Sequence, residues 1–201
     1  ADDCMIFCKS RKSAERTLSN ILQFIEEKLF LKVNRKKTKV SHISRVKYLG
    51  YTFYRHQGKC RFRVHPKSVG KMKERIREIT DRHKGISNEK REEMYQQFVR
   101  GWVEYYKLAD MKSLLKETDQ WARRRIRAVY WKQWKKPKTK IRNLLKMGVP
   151  KDLAWQAGNS RRGYWFVTHT IAVNLAMTKE RLINSGFYDL ATAYQSVHVN
   201  Y

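Results

Sequence analysis

The pattern of apolar and polar positions divides the first third of the chain into short strands and one helix. An acidic pair, Asp2-Asp3, precedes the apolar run 4–8, which predicts a strand entered from a turn. Apolar residues at helical spacing then predict a core-facing helix that begins near Ser13 and covers a sheet; they are Leu18, Ile21, Leu22, Ile25 and Leu29. The basic segment 31–40 predicts a turn that leads into another strand.

A hairpin follows, because two β-prone segments flank a turn. Aromatic and β-branched residues fill 46–54, and Gly50 inside this segment indicates a bulge or a close approach by another backbone. Residues 56–59 are typical of a turn. In 60–65, apolar and basic residues alternate, so we expect an antiparallel hairpin with one buried face and one basic face.

Three longer helices are predicted in the middle of the chain. Pro66 and Ser68 open the first, Ser87 or Asn88 caps the second, and Asp110 caps the third, which should run to about residue 134. Their inward stripes are Val69, Met72, Ile76 and Ile79 in the first, and Met94, Phe98, Trp102 and Tyr105 or Tyr106 in the second. Short connections favour a small antiparallel bundle.

The last part of the chain carries shorter helical patterns, broken by glycine and proline residues between 148 and 186. The predicted fold class is therefore α+β: antiparallel strands plus a helix, then a helical bundle, then a small, mainly helical tail.

Charge indicates a polyanionic partner. Lysine and arginine number 45 against 18 acidic residues, a formal charge of +27. No acidic residue lies between Asp119 and Asp152, where 12 basic residues fall. A solvated helix usually mixes charge signs, so we expect a phosphate backbone to lie against this stretch. The candidate phosphate contacts are Arg123, Arg124, Arg127, Lys132, Lys135 and Lys136.

Aromatic residues interleave with this charge, and either core packing or base stacking could employ them. Trp131 and Trp134 are the candidates for stacking on unpaired bases. In the tail, Arg161, Arg162 and Trp165 form a further candidate contact, although an aromatic anchor that packs the tail on the bundle explains them equally well.

Other chemistries have little support. The three cysteines contain no Cys-x-x-Cys pair, so a zinc module is not expected, and Cys4 and Cys8 are interpreted as core residues. The six histidines lack ligand spacing. No apolar run reaches the length of a membrane span, and no signal peptide is apparent, so a cytoplasmic protein with reduced thiols is expected.

Taken in order, these segments resemble the second half of a reverse transcriptase palm, and above all the reverse transcriptase/maturase encoded by bacterial group II introns. Asp2-Asp3 resembles the end of the Tyr-Ala-Asp-Asp motif, and Lys37 lies in a stretch similar to the fourth polymerase motif. Tyr48, Leu49 and Gly50 resemble the primer grip. Segments 100–106 and 123–135 resemble the maturase-specific region. Phe30 stands where the family usually has glycine.

The resemblance implies three regions: the end of the palm (1–66), the thumb or maturase-specific domain (67–136) and a C-terminal nucleic-acid-binding region (137–201). It also implies Asp2 and Asp3 as catalytic ligands of Mg²⁺, and Lys37 as a nucleic-acid contact. The implied partners are group II intron RNA, an RNA template with a DNA primer, target DNA and deoxynucleotides, with no membrane; the oligomeric state is left open.

The function implied is RNA-directed DNA synthesis in the intact protein, together with intron RNA binding for splicing and mobility. The family needs a further aspartate from an earlier palm strand, which this chain lacks, so the chain alone should not extend a primer. Two alternatives are a maturase that acts only in splicing after its polymerase decayed, and a basic structural RNA-binding protein.

Overall fold

A computed structural model describes residues 4–198 of the chain. These residues form an α+β structure that divides into two compact units, one up to Val46 and one from Lys47 onwards. The predicted fold class is confirmed. The second unit holds the hairpin together with the helical bundle and the tail, so the boundary predicted after residue 66 falls inside it.

The first unit is built around the helix α1, Arg11–Glu27. Its N-cap is Ser10, whose hydroxyl accepts a hydrogen bond from the Ser13 amide, so the predicted start at Ser13 was three residues late. Within the described residues, no α1 side chain is fully buried. The predicted stripe is half-buried along the helix, and Leu29 lies exposed beyond its end.

Both strands predicted in this unit are wrong. In the described structure neither residues 4–8 nor the segment after Lys37 forms a strand, and the one sheet there consists of the two hairpin strands within residues 51–64. Cys4 is exposed and Cys8 only half-buried, so they are not core residues. The basic turn is present: the Lys37 amide donates to the Asn34 backbone carbonyl at 3.1 Å.

The second unit begins with the predicted antiparallel hairpin, formed by β1 (Tyr51–His56) and β2 (Lys59–Val64). Its two-residue turn is Gln57-Gly58, with φ angles of 50° and 78°. Left-handed residues in both central positions match the right-handed twist of the paired strands.

Three helices form the bundle as predicted: α2 (Pro66–Ile79), α3 (Asn88–Tyr105) and α4 (Lys112–Gln133). Ser87 caps α3 by accepting from the Lys90 amide. The predicted Asp110 cap of α4 is wrong, since Met111 occupies that position. The Asp110 carboxylate instead accepts a hydrogen bond from the Tyr54 hydroxyl at 2.6 Å and so ties the hairpin to the bundle.

The bundle core follows the predicted stripe of α2 but not that of α3. Met72, Ile76 and Ile79 are buried, whereas α3 turns a face one residue further along into the core. The residues of that face are Tyr95, Val99 and Val103, and of the predicted set Met94, Phe98 and Trp102 pack only against its edge. Tyr106, which was predicted to face inward as an alternative to Tyr105, is buried in the core.

A second set of short helices forms the tail: α5 (Pro137–Lys146), α6 (Lys151–Gly158), α7 (Tyr164–Val167), α8 (Ile171–Ala176), α9 (Lys179–Asn184) and α10 (Leu190–Val197). α10 packs on α3 and α4, where the Tyr194 hydroxyl donates to the Ala109 carbonyl at 2.7 Å. No helix in residues 4–198 is long and apolar enough to cross a membrane.

Candidate functional site

The segment predicted as a primer grip forms a tight turn. Tyr48 and Tyr51 exchange two backbone hydrogen bonds of 3.0 and 2.8 Å, and only Leu49 and Gly50 lie between them. Both central residues are left-handed, with φ angles of 48° and 82°. Leucine in that region costs about 1–2 kcal/mol, and Leu49 nevertheless holds its side chain 64% exposed at the tip. Strain at an exposed apolar tip is typical of functional turns.

Two helices of the bundle hold this turn in place. The Tyr105 hydroxyl at the end of α3 donates to the Leu49 carbonyl at 3.0 Å, and the Ser68 hydroxyl of α2 donates to the Gly50 carbonyl at 3.1 Å. The His65 amide also donates to the Gly50 carbonyl, at 2.9 Å. The hydroxyl of Tyr51 returns the contact by donating to the Tyr105 carbonyl. The turn therefore moves with the helical bundle.

Gly50 explains why the turn lies so close to α3. A β-carbon at this position would collide with the Tyr106 hydroxyl and lie 3.1 Å from the Ser68 hydroxyl oxygen. The sequence predicted a bulge or a close approach by another backbone at Gly50; the close approach is made instead by the side chains of Tyr106 and Ser68.

Beside the turn lies an open cavity of about 350 Å³ between α2 and α3. Four of its ten lining residues are aromatic and two are lysines, and none of these described residues is a carboxylate; the side chains around it include Lys47, Lys71, Phe98, Trp102 and Tyr105. The turn thus lies next to a surface that is apolar and positively charged.

The predicted metal ligands Asp2 and Asp3 lie outside the described residues. Among residues 4–198, no group of three His, Cys, Asp or Glu side chains is placed to hold a metal ion. Lys37 is exposed on the turn of the first unit, where a phosphate could reach it.

The three arginines predicted to face phosphate bond instead to the tail. Arg123 pairs with the Asp189 carboxylate at 2.6 Å, and Arg124 donates to the Trp165 carbonyl. Arg127 donates to the Met177 carbonyl at 2.9 Å. Burial and the nearby Arg123 charge lower the pKa of Arg127 to about 10. The structure gives these arginines a docking role that the sequence did not indicate, and their contact with phosphate stays a prediction.

Trp131 was predicted to stack on bases, and this is wrong. Its side chain is 2% exposed in the core of the second unit, so no base can reach the ring. Trp134 packs against it with ring centroids 5.8 Å apart and is half-buried.

The remaining predicted cations offer the more accessible surface. Lys135 and Lys136 are exposed at the end of α4 and Lys132 is half-exposed; among the described residues none of them pairs with a carboxylate. Arg161 and Arg162 are exposed in the tail, and Trp165 is 42% exposed.

Sequence reasoning missed the groups that join the tail to the bundle. Asp119 is 2% exposed, and its two carboxylate oxygens accept from the amides of Leu190 and Ala191, both at 2.9 Å. Burial and the neighbouring Asp189 carboxylate raise the pKa of Asp119 to about 7. Asp119 borders the acid-free stretch, but nothing in the sequence indicates which amides it caps.

Two segments of the chain match known families. Residues 1–53 match the reverse transcriptase (RNA-dependent DNA polymerase) family, and residues 69–148 match the group II intron, maturase-specific domain. No curated protein matches the chain. The first match ends in β1 and includes the turn at Leu49, and the second spans α2 to the end of α5.

A reverse transcriptase segment followed by a maturase-specific domain defines a class of intron-encoded protein. The two matches together support a fragment of a group II intron reverse transcriptase/maturase, the family that the sequence motifs indicated.

Proposed function

We propose that the chain forms the end of the palm (1–66), the thumb (67–136) and a C-terminal nucleic-acid-binding region (137–201) of a group II intron reverse transcriptase/maturase. The intact protein would copy RNA into DNA and bind its intron RNA for splicing and mobility. The observation that carries this proposal is the order of the two family segments. A strained turn near the end of the first segment is hydrogen-bonded to both α2 and α3.

In this proposal Asp2 and Asp3 hold Mg²⁺. The ion supplies charge stabilisation for nucleotidyl transfer when it is bound. The reverse transcriptase match covers only residues 1–53, a small part of that domain. We therefore expect the 201-residue chain to bind RNA without extending a primer.

The turn at Tyr48, Leu49 and Gly50 would contact the primer. Its exposed apolar tip suits a sugar or base surface, while Lys47 and Lys71 beside it suit phosphate. Tyr105 and Ser68 would act as positioning residues, since they bond to the turn's own carbonyls and leave its tip uncovered.

Intron RNA would lie against the accessible cations at the end of the thumb, Lys132, Lys135 and Lys136. Their charge has no nearby carboxylate partner in the described structure, so phosphate is the ion that would balance it. Target DNA would use the tail cations Arg161 and Arg162.

The test measures how affinity for a group II intron RNA depends on salt. Replacing Lys132, Lys135 and Lys136 by Gln should flatten the slope of log affinity against log salt by about two units, because each phosphate contact adds roughly 0.7–0.9. The matched control replaces three cations that already pair with carboxylates three residues away, Arg75, Lys90 and Lys107. If both sets of substitutions flatten the slope equally, affinity depends only on net charge, and the proposed RNA-binding surface at the end of α4 is wrong. Robust primer extension by the chain alone would contradict the assignment of its regions.

A further inference from the structure

Three successive aromatic side chains stand half-exposed on the short helix α7. Tyr164 is 37% exposed, Trp165 42% and Phe166 49%, while the next residue, Val167, is fully buried. Thr168, which follows Val167, is also fully buried, so the inner side of this helical turn is packed without the three rings. The three rings are therefore displayed on the surface beyond what packing requires.

Each of these rings has a cation against it. The Arg124 guanidinium carbon lies 4.0 Å from the centroid of the Trp165 ring, and that of Arg162 lies 4.2 Å from the Phe166 ring. Tyr164 has two such neighbours, since Arg82 and Lys140 lie 5.0 and 5.9 Å from its ring centroid. Contacts of this length are cation–π interactions.

No carboxylate of the described residues pairs with any of these four cations. Arg124 also donates to the Trp165 carbonyl, and Lys140 also lies 4.9 Å from the Trp131 ring centroid, but carbonyls and ring quadrupoles are weak partners compared with an anion. A ligand that offers both flat π surfaces and regularly spaced negative charge would complement this surface. An unpaired nucleotide strand has both, whereas a duplex hides the faces of its bases inside the stack.

We propose that this aromatic platform, formed by Tyr164, Trp165 and Phe166 with Arg82, Lys140 and Arg162, binds single-stranded nucleic acid. Unpaired bases stack on the exposed ring surfaces, and the cations at the rim neutralise the intervening phosphates. The inference rests on the proposed function and deepens it, because it specifies unpaired strands as the ligand of the C-terminal region.

The platform is held by backbone bonds that do not involve the rings. Arg124 of α4 donates from Nε and Nη2 to the Trp165 carbonyl, at 3.1 and 2.5 Å, and the Thr168 hydroxyl donates to the same oxygen at 3.2 Å. Replacing the Trp165 and Phe166 side chains should therefore leave α7 in place.

The experiment compares the full 201-residue chain with Trp165→Leu/Phe166→Leu by fluorescence anisotropy. The probes are oligonucleotides of about 12 nucleotides, offered as single-stranded RNA, as single-stranded DNA and as the duplex of the same sequence. Two stacking rings are lost, so affinity for the single strands should fall at least tenfold. The salt slope should stay unchanged because no charge is removed. Duplex affinity should change less than twofold.

The matched control is Ile171→Ala/Leu175→Ala, which removes two exposed aliphatic side chains of α8 in the same region. It should leave affinity for every probe unchanged. A second variant, Lys140→Gln/Arg162→Gln, keeps the rings and should flatten the single-strand salt slope by about one unit.

Loss on either single strand, with the duplex spared, supports the proposal and identifies the strand as RNA or DNA. Equal losses on single strands and duplex, or equal losses in the α8 control, would overturn it. If the platform variant binds every probe normally while the chain still binds intron RNA, the platform is wrong and the proposed function stands. If the unaltered chain has no affinity for intron RNA, the proposed function itself fails.

Discussion

Leu49 and Gly50 show how much one pair of residues decides about the turn of the second unit. The glycine is needed twice, for its left-handed backbone and for the space that the Tyr106 hydroxyl occupies. The leucine is not needed by the backbone, which would be less strained with asparagine or glycine there. A leucine at an exposed, strained tip is the residue-level observation behind the proposed contact of this turn with nucleic acid.

Gly50→Ala should lower the free energy of unfolding by about 2–4 kcal/mol, because backbone strain and a steric collision add. The measurement is urea unfolding. Gly58→Ala is the matched control: Gly58 has nearly the same φ, 78°, but a β-carbon there meets no atom within 4 Å. It should cost only the strain, about 1–2 kcal/mol. Equal losses would show that the Tyr106 hydroxyl moves aside without cost.

At the scale of elements, the clearest feature is the attachment of α10 to α4. Its first amides are bonded by the Asp119 carboxylate of α4, while its own N-cap, Asp189, points to Arg123 and Lys179. The first amides of a helix have no acceptor within the helix, and here a carboxyl group of a different helix accepts from them. Burial raises the pKa of the Tyr95 hydroxyl, and the nearby Asp119 and Asp189 carboxylates raise it further.

This attachment should weaken as pH rises. The pKa of Asp119 is raised from 3.8 to about 7 in the folded chain, so over that window the folded chain keeps a proton that the unfolded chain has lost. The free energy of unfolding contributed by this group is therefore fully present below pH 3.8 and is lost as pH rises through about 7. Urea unfolding at pH 5 and pH 8 should show this fall relative to Asp119→Asn, which does not titrate.

Asp152→Asn, which changes an exposed aspartate in the first turn of α6, is the control and should leave the pH dependence as it is. The opposite result, in which the unaltered chain gains stability over Asp119→Asn between pH 5 and pH 8, would mean that the two amide bonds outweigh burial and keep Asp119 charged.

At the scale of the whole second unit, one row of arginines on α4 joins the bundle to the tail. Arg123, Arg124 and Arg127 reach Asp189, Trp165 and Met177, which lie in three different parts of the tail. The maturase-specific match ends at residue 148, yet these contacts extend the same packed body through α10. The tail is therefore part of the structural unit that displays the thumb cations.

Replacing Arg123, Arg124 and Arg127 by Gln should loosen the tail. Removing Arg123 alone should lower the free energy of unfolding by roughly 2–3 kcal/mol. This loss is smaller than that for a fully buried ion pair, because Lys179 still faces the Asp189 carboxylate. Limited digestion with chymotrypsin should cut the variant faster between residues 164 and 198, because a loosened tail exposes its aromatic residues to the protease. The substitutions add no aromatic residue, so they create no new cleavage site. Arg75, Lys90 and Lys107 replaced by Gln should digest like the unaltered chain. If the arginine variant digests normally but loses RNA affinity, the three arginine side chains bind phosphate and do not hold the tail.

The sequence by itself determined the helices α2, α3 and α4, the β1–β2 hairpin, the special role of Gly50 and the family. Each of these depends on local information: apolar period, turn residues, or motifs in order. It could not decide which side of α3 faces the core, because adjacent stripes such as Met94–Phe98 and Tyr95–Val99 are both apolar.

Tertiary structure decided what the charged and aromatic residues do. The twelve basic residues between Asp119 and Asp152 do not show by themselves which side chains bond to a carbonyl or carboxylate elsewhere in the chain. Only packing placed Arg123, Arg124 and Arg127 against the tail. In the same way Trp131 became core while Trp165 remained exposed. Both tryptophans lie within three residues of a basic residue, so composition cannot separate them. Burial depends on contacts between distant parts of the chain, which the local pattern does not encode.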